Sequence, residues 1–310
     1  MEKTSVQKKV SVIIPTYNRA GFISNAVRSV QRQDYQNIEI IIVDDGSNDN
    51  TQTVVNSLKK EIPNIFYCHN ARSKGPSGAR NTGMLKAAGS YITFLDSDDI
   101  WLKNHLNDGM KILDQNPTID VLFGNFNIFD LQNNRYLFNW FDQKKILHTL
   151  KSIQLSPTVR ILHDNLFKAL IQENFFHLAS SIIRRPTIKG ILFDESIMYS
   201  EDRDFAINLY KKSNALFAFR NDPVFIAYMH DSNFCNIGDN RNRKEVAETH
   251  IYLFLKYLRI FDLSYQEKRI LRKRIANKFA FLSYLYGKNR QYPDALSYIH
   301  KSLKYYSALF

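Results

Sequence analysis

The first hundred residues alternate between short apolar runs and stretches in which apolar residues recur every three or four positions. The apolar runs cover 9–16, 38–43, 65–68 and 91–95, and the stretches with helical spacing lie between them. Strands that are apolar throughout and separated by helices are typical of a parallel sheet covered on both faces. The pattern therefore predicts an α/β fold with helices on both sides of a mostly parallel sheet.

Polar residues stand at the carboxyl end of each predicted strand. They are Pro15–Arg19 at the first, Asp44–Ser47 at the second, His69–Asn70 at the third and Asp96–Asp99 at the fourth. Open α/β sheets bind their ligands beyond the carboxyl ends of the strands. We therefore predict a binding site along this edge.

The acidic cluster after the fourth strand has two interpretations. Asp96 and Asp98 are two residues apart, so their side chains can point the same way, and such oxygen ligands suit Mg²⁺ or Mn²⁺ that carries phosphates. Alternatively, Asp96, Ser97 and Asp99 cap a helix that begins near Trp101. The cluster alone leaves both interpretations open.

Composition narrows the class of protein. The chain has 310 residues, with 42 Lys and Arg against 30 Asp and Glu, and a net charge of +12 favours partners that are polyanions or anionic surfaces. There is no signal-peptide pattern and no apolar run of about 18 residues, so we expect a cytoplasmic protein that can touch the inner face of the cell membrane. Cys68 and Cys235 are predicted to be buried reduced thiols. The glycine motifs of dinucleotide-binding and P-loop enzymes are missing.

Four segments carry a resemblance to a known family. They are V-S-V-I-I-P-T-Y-N-R (10–19), I-I-I-V-D-D-G-S-N-D-N-T (40–51), G-P-S-G-A-R-N-T-G (75–83) and G-S-Y-I-T-F-L-D-S-D-D (89–99). Their order and content resemble the successive blocks of family 2 glycosyltransferases. The resemblance implies the GT-A nucleotide-diphospho-sugar transferase fold, here followed by a helical extension.

The same resemblance implies a role for eight residues on the donor side. Asp45 would accept from the ring N–H of the base, Asp96 would lie near ribose and metal, and Asp98 would be the direct metal ligand. A uracil edge offers one N–H that a carboxylate can accept, and an aromatic face can stack on the ring. The remaining residues would border the nucleotide or lie near its base and phosphates: Pro15, Tyr17, Arg19, Lys74 and Arg80.

A second acidic segment, from Phe193 to Phe205, resembles the acceptor-side block of that family. By this match Asp202 is the catalytic base and Glu201 is the neighbouring candidate. Ordinary helix chemistry also explains the segment, with Ser200 as the N-cap and an acidic first turn. His230 stands where the family covers the diphosphate, but its surroundings depart from the usual arginine-containing pattern.

The rest of the chain contains segments that differ in their pattern of apolar, aromatic and charged residues. Aromatic and polar residues alternate from Val121 to Phe141, which predicts strands or a hairpin, and residues 142–175 are predicted to be an inserted helical segment. Residues 241–310 have helical spacing, many cations and a break at Tyr292 and Pro293, and they either pack on the catalytic domain or contact a membrane. We predict a catalytic domain over 1–240, with halves 1–120 and 121–240, and an extension over 241–310.

Together these features predict a metal-dependent, inverting glycosyltransferase. The resemblance implies a nucleotide-sugar donor, UDP-linked in our prediction, Mn²⁺ or Mg²⁺ as cofactor, and a glycan or lipid-linked saccharide as acceptor. One alternative is a nucleotidyltransferase acting on sugar phosphates, which also places carboxylates and a metal on an α/β sheet. Another is a basic nucleic-acid-binding module, which would explain the charge but not the acidic strand ends; we predict no nucleic-acid partner.

Overall fold

The structure is a computed structural model that describes residues 7–163, 165–230 and 242–308. The strands within these ranges are β1 Val10–Thr16, β2 Ile38–Asp44, β3 Ile65–His69, β4 Tyr91–Phe94, β5 Ile100–Trp101, β6 Val121–Asp130, β7 Arg135–Asn139, β8 Ser152–Gln154, β9 Val159–Leu162, β10 Ile182–Arg184 and β11 Phe217–Met229. The α-helices are α1 Ile23–Gln31, α2 Thr51–Glu61, α3 Pro76–Lys86, α4 His105–Gln115, α5 Lys145–Thr149, α6 Leu166–Gln172, α7 Glu201–Ser213, α8 Arg243–Ile260, α9 Tyr265–Lys288 and α10 Tyr292–Ser307.

One sheet of the order β3-β2-β1-β4-β10-β6-β11-β9-β8 runs through the molecule, with β5 on β11 and β7 on β6. The first four strands in this order are parallel, as the sequence predicts. β10 then lies antiparallel between β4 and β6, while β6 and β11 are parallel to each other. The predicted parallel sheet is confirmed for the first four strands, and the sheet as a whole is mixed, because β10 and the strands around β6 and β11 add antiparallel pairings that local patterns do not reveal.

The two faces of the sheet carry separate hydrophobic cores, because successive side chains of a strand point to opposite faces. Ile13 and Val43 belong to one core, which the helices α3, α7, α8 and α9 complete. Ile14 and Ile42 belong to the other, which α1, α2 and α4 complete. The apolar strands are thus buried on both faces, as expected for an α/β sheet.

Two glycines allow α3 to lie close to the sheet edge. A Cβ on Gly83 would come within 2.4 Å of the Ile13 side chain, and one on Gly78 within 1.9 Å of the Ser73 carbonyl oxygen. Both contacts are shorter than any side chain tolerates. The close approach matters because α3 carries Arg80 toward the polar edge.

Two predicted elements are wrong. Ile100 and Trp101 form the short strand β5 against Phe225 and Ile226, and the next helix, α4, begins only at His105. The acidic cluster therefore does not cap a helix that begins near Trp101. The segment 142–175 is not simply helical either, because the β8–β9 hairpin lies between α5 and α6.

Other predictions of local structure are confirmed or limited. β6 and β7 form the hairpin expected between Val121 and Phe141, and three helices follow residue 242, with Tyr292 and Pro293 in the first turn of the last. Cys68 is only partly buried, and Cys235 lies outside the described residues. The domain boundary at 240 also falls outside them and stays a prediction. Among the described residues, none of the helices is long and apolar enough to cross a bilayer.

Candidate active site

The loops after β1 and β2 are joined by hydrogen bonds at the carboxyl edge of the sheet. The Asn18 amide donates to the Ser47 hydroxyl over 2.9 Å, and the Asn48 amide donates to Asn18 Oδ1 over 2.9 Å. Asn18 has a φ of 51°, a left-handed conformation that asparagine tolerates better than most residues. These two hydrogen bonds fix the backbone at Asn18 and so the positions of its neighbours Tyr17 and Arg19.

The two aspartates at the end of β2, Asp44 and Asp45, have different hydrogen-bond partners. Asp44 is buried, and its carboxylate accepts from the Gly46 and Ser47 amides and from the Tyr67 hydroxyl, so it holds the turn. Asp45 is only partly buried and accepts from Asn70 Nδ2 over 2.6 Å and from the Gly75 amide over 2.7 Å. Each carboxylate oxygen has two lone pairs, so Asp45 keeps the capacity to accept another N–H.

Two residues predicted to border the nucleotide form a pair. The Lys74 ammonium lies 4.6 Å from the centre of the Tyr17 ring, which is 42% exposed. An exposed aromatic face with a cation beside it can stack on a base and attract phosphate. Pro15, by contrast, is buried within β1 opposite Val43, so it shapes the strand end rather than presenting a polar group.

Arg80 joins the acidic end of β4 to the acidic start of α7. Its guanidinium donates to Asp96 Oδ1 over 2.9 Å and to Glu201 Oε1 over 2.8 Å, and the arginine side chain is almost completely buried. Burial opposes the charge, but the two carboxylates outweigh it and raise the pKa of Arg80. The Arg80 guanidinium, which stays charged, therefore connects the end of β4 to the start of α7.

Asp98 lies between two basic side chains. Arg19 Nε donates to Asp98 Oδ2 over 3.2 Å, and His230 Nε2 lies 3.3 Å from the same oxygen. Burial would raise the pKa of Asp98, but the His230 hydrogen bond and the Arg19 charge outweigh it and keep the pKa below its ordinary value. His230 also stacks on the Phe22 ring at 4.4 Å, and its role over the diphosphate stays a prediction.

Asp99 differs from its two acidic neighbours. It is buried, and its carboxylate accepts from the Tyr228 amide over 3.1 Å. Burial and the charges of Asp98 and Asp96 raise its pKa well above the ordinary value. Asp99 therefore holds β11 in place through this hydrogen bond. Asp96 and Asp98 are the carboxylates of the cluster that could bind a metal or substrate.

The donor set at this edge fits a divalent metal. Asp98 is held ionised in a mostly buried position, Asp96 is partly exposed, and both offer the hard oxygen ligands that Mg²⁺ and Mn²⁺ prefer. Across the residues that the structure describes, no cluster of three or more His, Cys, Asp and Glu surrounds a point where a metal would bind. A diphosphate that supplies further oxygens would complete such a site.

Two acidic residues begin the helix α7, and their side chains have different partners. Glu201 is bound to Arg80, whereas Asp202 accepts from the Arg203 amide over 2.6 Å and faces Asn174 Nδ2 at 3.4 and 3.5 Å. Burial raises the pKa of both carboxyls. Arg80 forms a short ion pair with Glu201, whereas among the described residues no cation forms one with Asp202. Asp202 is therefore better suited than Glu201 to take a proton.

The C-terminal extension holds the start of α7 in place. Lys256 of α8 lies 3.1 Å from both oxygens of Asp204 and 2.8 Å from Asp194 Oδ2, and the Tyr257 hydroxyl donates to Asp204 Oδ1 over 2.8 Å.

The predicted N-cap of α7 is wrong in one respect. Ser200 stands at that position with a φ of 61°, but its hydroxyl pairs with His250 Nε2 at 3.0 Å and does not cap the helix.

The family model described as "Glycosyl transferase family 2" matches residues 11–169, more than half of the chain. The chain belongs to this family. The glycosyltransferase prediction is thereby confirmed over the nucleotidyltransferase and nucleic-acid-binding alternatives.

Relatives of this glycosyltransferase span most of its length. A Campylobacter jejuni protein, "GalNAc(5)-diNAcBac-PP-undecaprenol beta-1,3-glucosyltransferase", is 28% identical over 305 residues and covers 97% of this chain and 86% of its own. An Escherichia coli protein, a UDP-Glc:alpha-D-GlcNAc-diphosphoundecaprenol beta-1,3-glucosyltransferase, is 33% identical over 188 residues, or 59% of this chain and 72% of its own.

Solved structures establish the fold of the glycosyltransferase. Staphylococcus aureus TarS in complex with UDP-GlcNAc matches with a TM-score of 0.68 and 23% identity, over 97% of this chain and 83% of that one. The mannosyltransferase PcManGT from Pyrobaculum calidifontis, in complex with GDP-Man and Mn²⁺, matches with a TM-score of 0.62 and 18% identity, over 97% and 76%. The predicted GT-A fold is confirmed.

Sequence reasoning missed two residues near this candidate site. Asn174 contacts Asp202, and the partly buried His177 lies close enough to Asp96, Arg80 and Glu201 for their charges to influence its pKa, which desolvation lowers. Neither residue lies in a recognisable motif, so no local signal could have identified them.

Proposed function

We propose that this family 2 glycosyltransferase moves a hexosyl or N-acetylhexosaminyl group from a UDP-sugar to a lipid-linked saccharide and inverts the anomeric carbon. The observation that carries the proposal is the Arg80 bridge, because it unites the acidic end of β4 with the acidic start of α7 in one site. The two named relatives act on undecaprenol-diphosphate saccharides, which supports this acceptor class. Such acceptors are held at a membrane, so we place the enzyme at its inner face with the C-terminal helices in contact.

On the donor side, we assign the nucleotide to Pro15, Tyr17, Arg19, Asp45, Lys74, Arg80 and Asp96. Tyr17 and Lys74 would border the base, and Asp45 would accept its ring N–H. Asp98, with Asp96, would hold Mn²⁺ or Mg²⁺. A bound metal ion would neutralise the charge that develops on the departing diphosphate.

On the acceptor side, Asp202 takes the proton of the attacking hydroxyl. The oxygen forms a bond to the anomeric carbon from the face opposite the diphosphate, the bond to the diphosphate oxygen breaks, and the nucleoside diphosphate leaves with that electron pair. A single displacement inverts the anomeric carbon. Glu201 and Arg80 hold the site together around this reaction.

Calorimetry with UDP, GDP, CDP and dTDP, each with and without Mn²⁺, tests the donor side. We expect UDP to bind with Mn²⁺ and the Asp98→Ala variant to lose at least about tenfold in affinity, as for removal of a charged ligand contact. Asp34→Ala, which removes an exposed carboxylate paired with the exposed Lys103, is the matched control and should bind as the parent does. Absence of binding by all four nucleotides under both conditions would contradict the proposal.

A further inference from the structure

The last helix, α10, has two apolar faces. One packs on α9, where Tyr298 and Tyr305 contact Phe279 and the Ser302 hydroxyl donates to the Ala276 carbonyl oxygen over 2.9 Å. The second face points to solvent. A helix that only packs on its neighbour needs a single apolar face, so the second one requires an explanation.

The second face is a continuous stripe. Its five residues are three or four positions apart, which places them in line along the helix, and each is between 37% and 66% exposed. We call them the α10 stripe: Tyr292, Leu296, Ile299, Leu303 and Tyr306. Aliphatic residues occupy its middle and tyrosines its two ends. A contiguous exposed stripe of large apolar side chains is characteristic of a binding surface.

Positive charge is concentrated around this stripe. Residues 241–310 contain fifteen Lys and Arg against five Asp and Glu, a net charge of +10, which leaves +2 for the first 240 residues. The Tyr306 hydroxyl donates to Asn277 Oδ1 over 2.6 Å, so the stripe lies beside the solvent-facing side of α9. Exposed cations on that side of α9, and next to the two ends of α10, include Arg269, Lys273, Lys288, Arg290 and Lys304.

We propose that the α10 stripe and its surrounding cations lie on an anionic phospholipid bilayer. Apolar side chains enter the interface, the tyrosines sit at the level of the headgroups, and the cations pair with lipid phosphates. The inference rests on the proposed function, in which the acceptor is held at a membrane. It names the surface by which the enzyme would reach that acceptor.

The position of the stripe is coupled to the active site. α10 packs on α9, and α9 shares one hydrophobic core with α8 and the catalytic helix α7. Lys256 and Tyr257 then bind α8 to Asp204, two residues beyond Asp202. A bilayer contact through α10 would therefore set the orientation of the acceptor side toward the membrane.

Vesicle flotation with the full chain tests the proposal directly. The vesicles are made either of phosphatidylcholine alone or of equal parts phosphatidylcholine and phosphatidylglycerol. We expect the protein to bind the anionic vesicles, with release at high salt. The triple variant Leu296→Gln, Ile299→Gln, Leu303→Gln should lose at least about tenfold in binding, since the polar amides no longer gain free energy by leaving water for the interface. Arg269→Gln and Lys273→Gln should each cost about fivefold.

A matched control separates the stripe from exposed apolar surface in general. Leu85, on α3, is 65% exposed, close to the 66% of Leu296, and Leu85→Gln should bind vesicles as the parent does. The triple variant should keep its melting temperature and its affinity for UDP with Mn²⁺, so loss of vesicle binding is distinguishable from failure of the proposed donor site.

Two results would overturn the proposal. One is equal flotation of the parent and the triple variant on anionic vesicles. The other is absence of flotation together with a concentration-dependent dimer in sedimentation that the triple variant abolishes, because the stripe would then be covered by a second copy of the chain.

Discussion

At the scale of single residues, the decisive group is Asp202, the carboxylate that we propose receives the acceptor proton. We expect Asp202→Asn to lower kcat by about 10²–10⁴ because the amide cannot accept that proton, whereas UDP affinity should change little. Steady-state kinetics together with calorimetry separate the two effects. The amide keeps nearly the same shape beside Asn174, so the fold should be retained.

The neighbouring carboxylate is the informative comparison. Glu201→Gln removes a charge from the same helical turn but breaks the ion pair with Arg80, so we expect it to weaken both nucleotide binding and turnover. If Glu201→Gln abolished turnover with donor affinity unchanged while Asp202→Asn kept full activity, the base would be Glu201.

A second residue-scale prediction concerns acid stability. Burial would raise the pKa of Glu195, but hydrogen bonds from Arg72, Asn81 and Ser73 lower it to about 2. The folded pKa lies below that of the unfolded chain, so the stabilisation is complete above about pH 4.5 and is lost as the pH falls toward 2. Urea unfolding across this range should show a steeper loss of stability in the parent than in Glu195→Gln.

The control for this prediction is an exposed ion pair. Glu61 lies 2.9 Å from Arg28 on the protein surface, and its removal should leave the acid limb of the stability curve unchanged. An identical acid limb in the parent and in Glu195→Gln would show that Glu195 titrates normally.

At the scale of elements, the attachment of α8 to α7 is the feature to test. Asp204 is only 1% exposed and depends on Lys256 and Tyr257 for its partners. In Lys256→Met, the buried Asp204 carboxylate keeps the Tyr257 hydroxyl but loses its cation. We therefore expect the free energy of unfolding to fall by about 3–5 kcal/mol. Chemical denaturation measures this loss.

Lys8→Met provides the contrast. Lys8 lies 3.1 Å from Asp114, and both side chains are about half exposed, so this substitution should cost less than about 1 kcal/mol. Equal losses in the two variants would mean that the α7–α8 attachment contributes no more than a surface pair.

At the scale of the whole molecule, the extension shares a hydrophobic core with the catalytic part. Phe254, Tyr257 and Ile275 are fully buried in the same cluster as Phe167 and Phe205. We therefore expect a chain that ends at residue 242 to unfold at a much lower temperature, or not to fold. Thermal unfolding and UDP binding of the truncated chain measure this.

A shorter deletion isolates the last helix. α10 packs mainly on α9, so a chain that ends at residue 290 should remain folded and bind UDP but fail to float with anionic vesicles. A chain ending at 242 that kept its melting temperature would instead support the predicted division into separable domains at residue 240.

The sequence by itself determined the parallel half of the sheet and the family. The reason is that its information is local: apolar runs define strands, helical spacing defines the helices between them, and four contiguous motifs carry most of the residues that we assign to the donor. Tyr17, Asp45, Asp96 and Asp98 emerge at strand ends, and the carboxyl ends of parallel strands meet at one edge.

Only the tertiary structure decided the features that depend on distant partners. Ile100 and Trp101 form a strand because β11 arrives beside them, and Ser200 leaves its capping role because His250 of α8 binds its hydroxyl. Arg80 can bind both Asp96 and Glu201 only when the start of α7 lies beside α3. The apolar residues of α10 likewise divide into a packed face and an exposed stripe once α9 covers one side. Such pairings join residues far apart in the chain, and no local pattern encodes which segments meet.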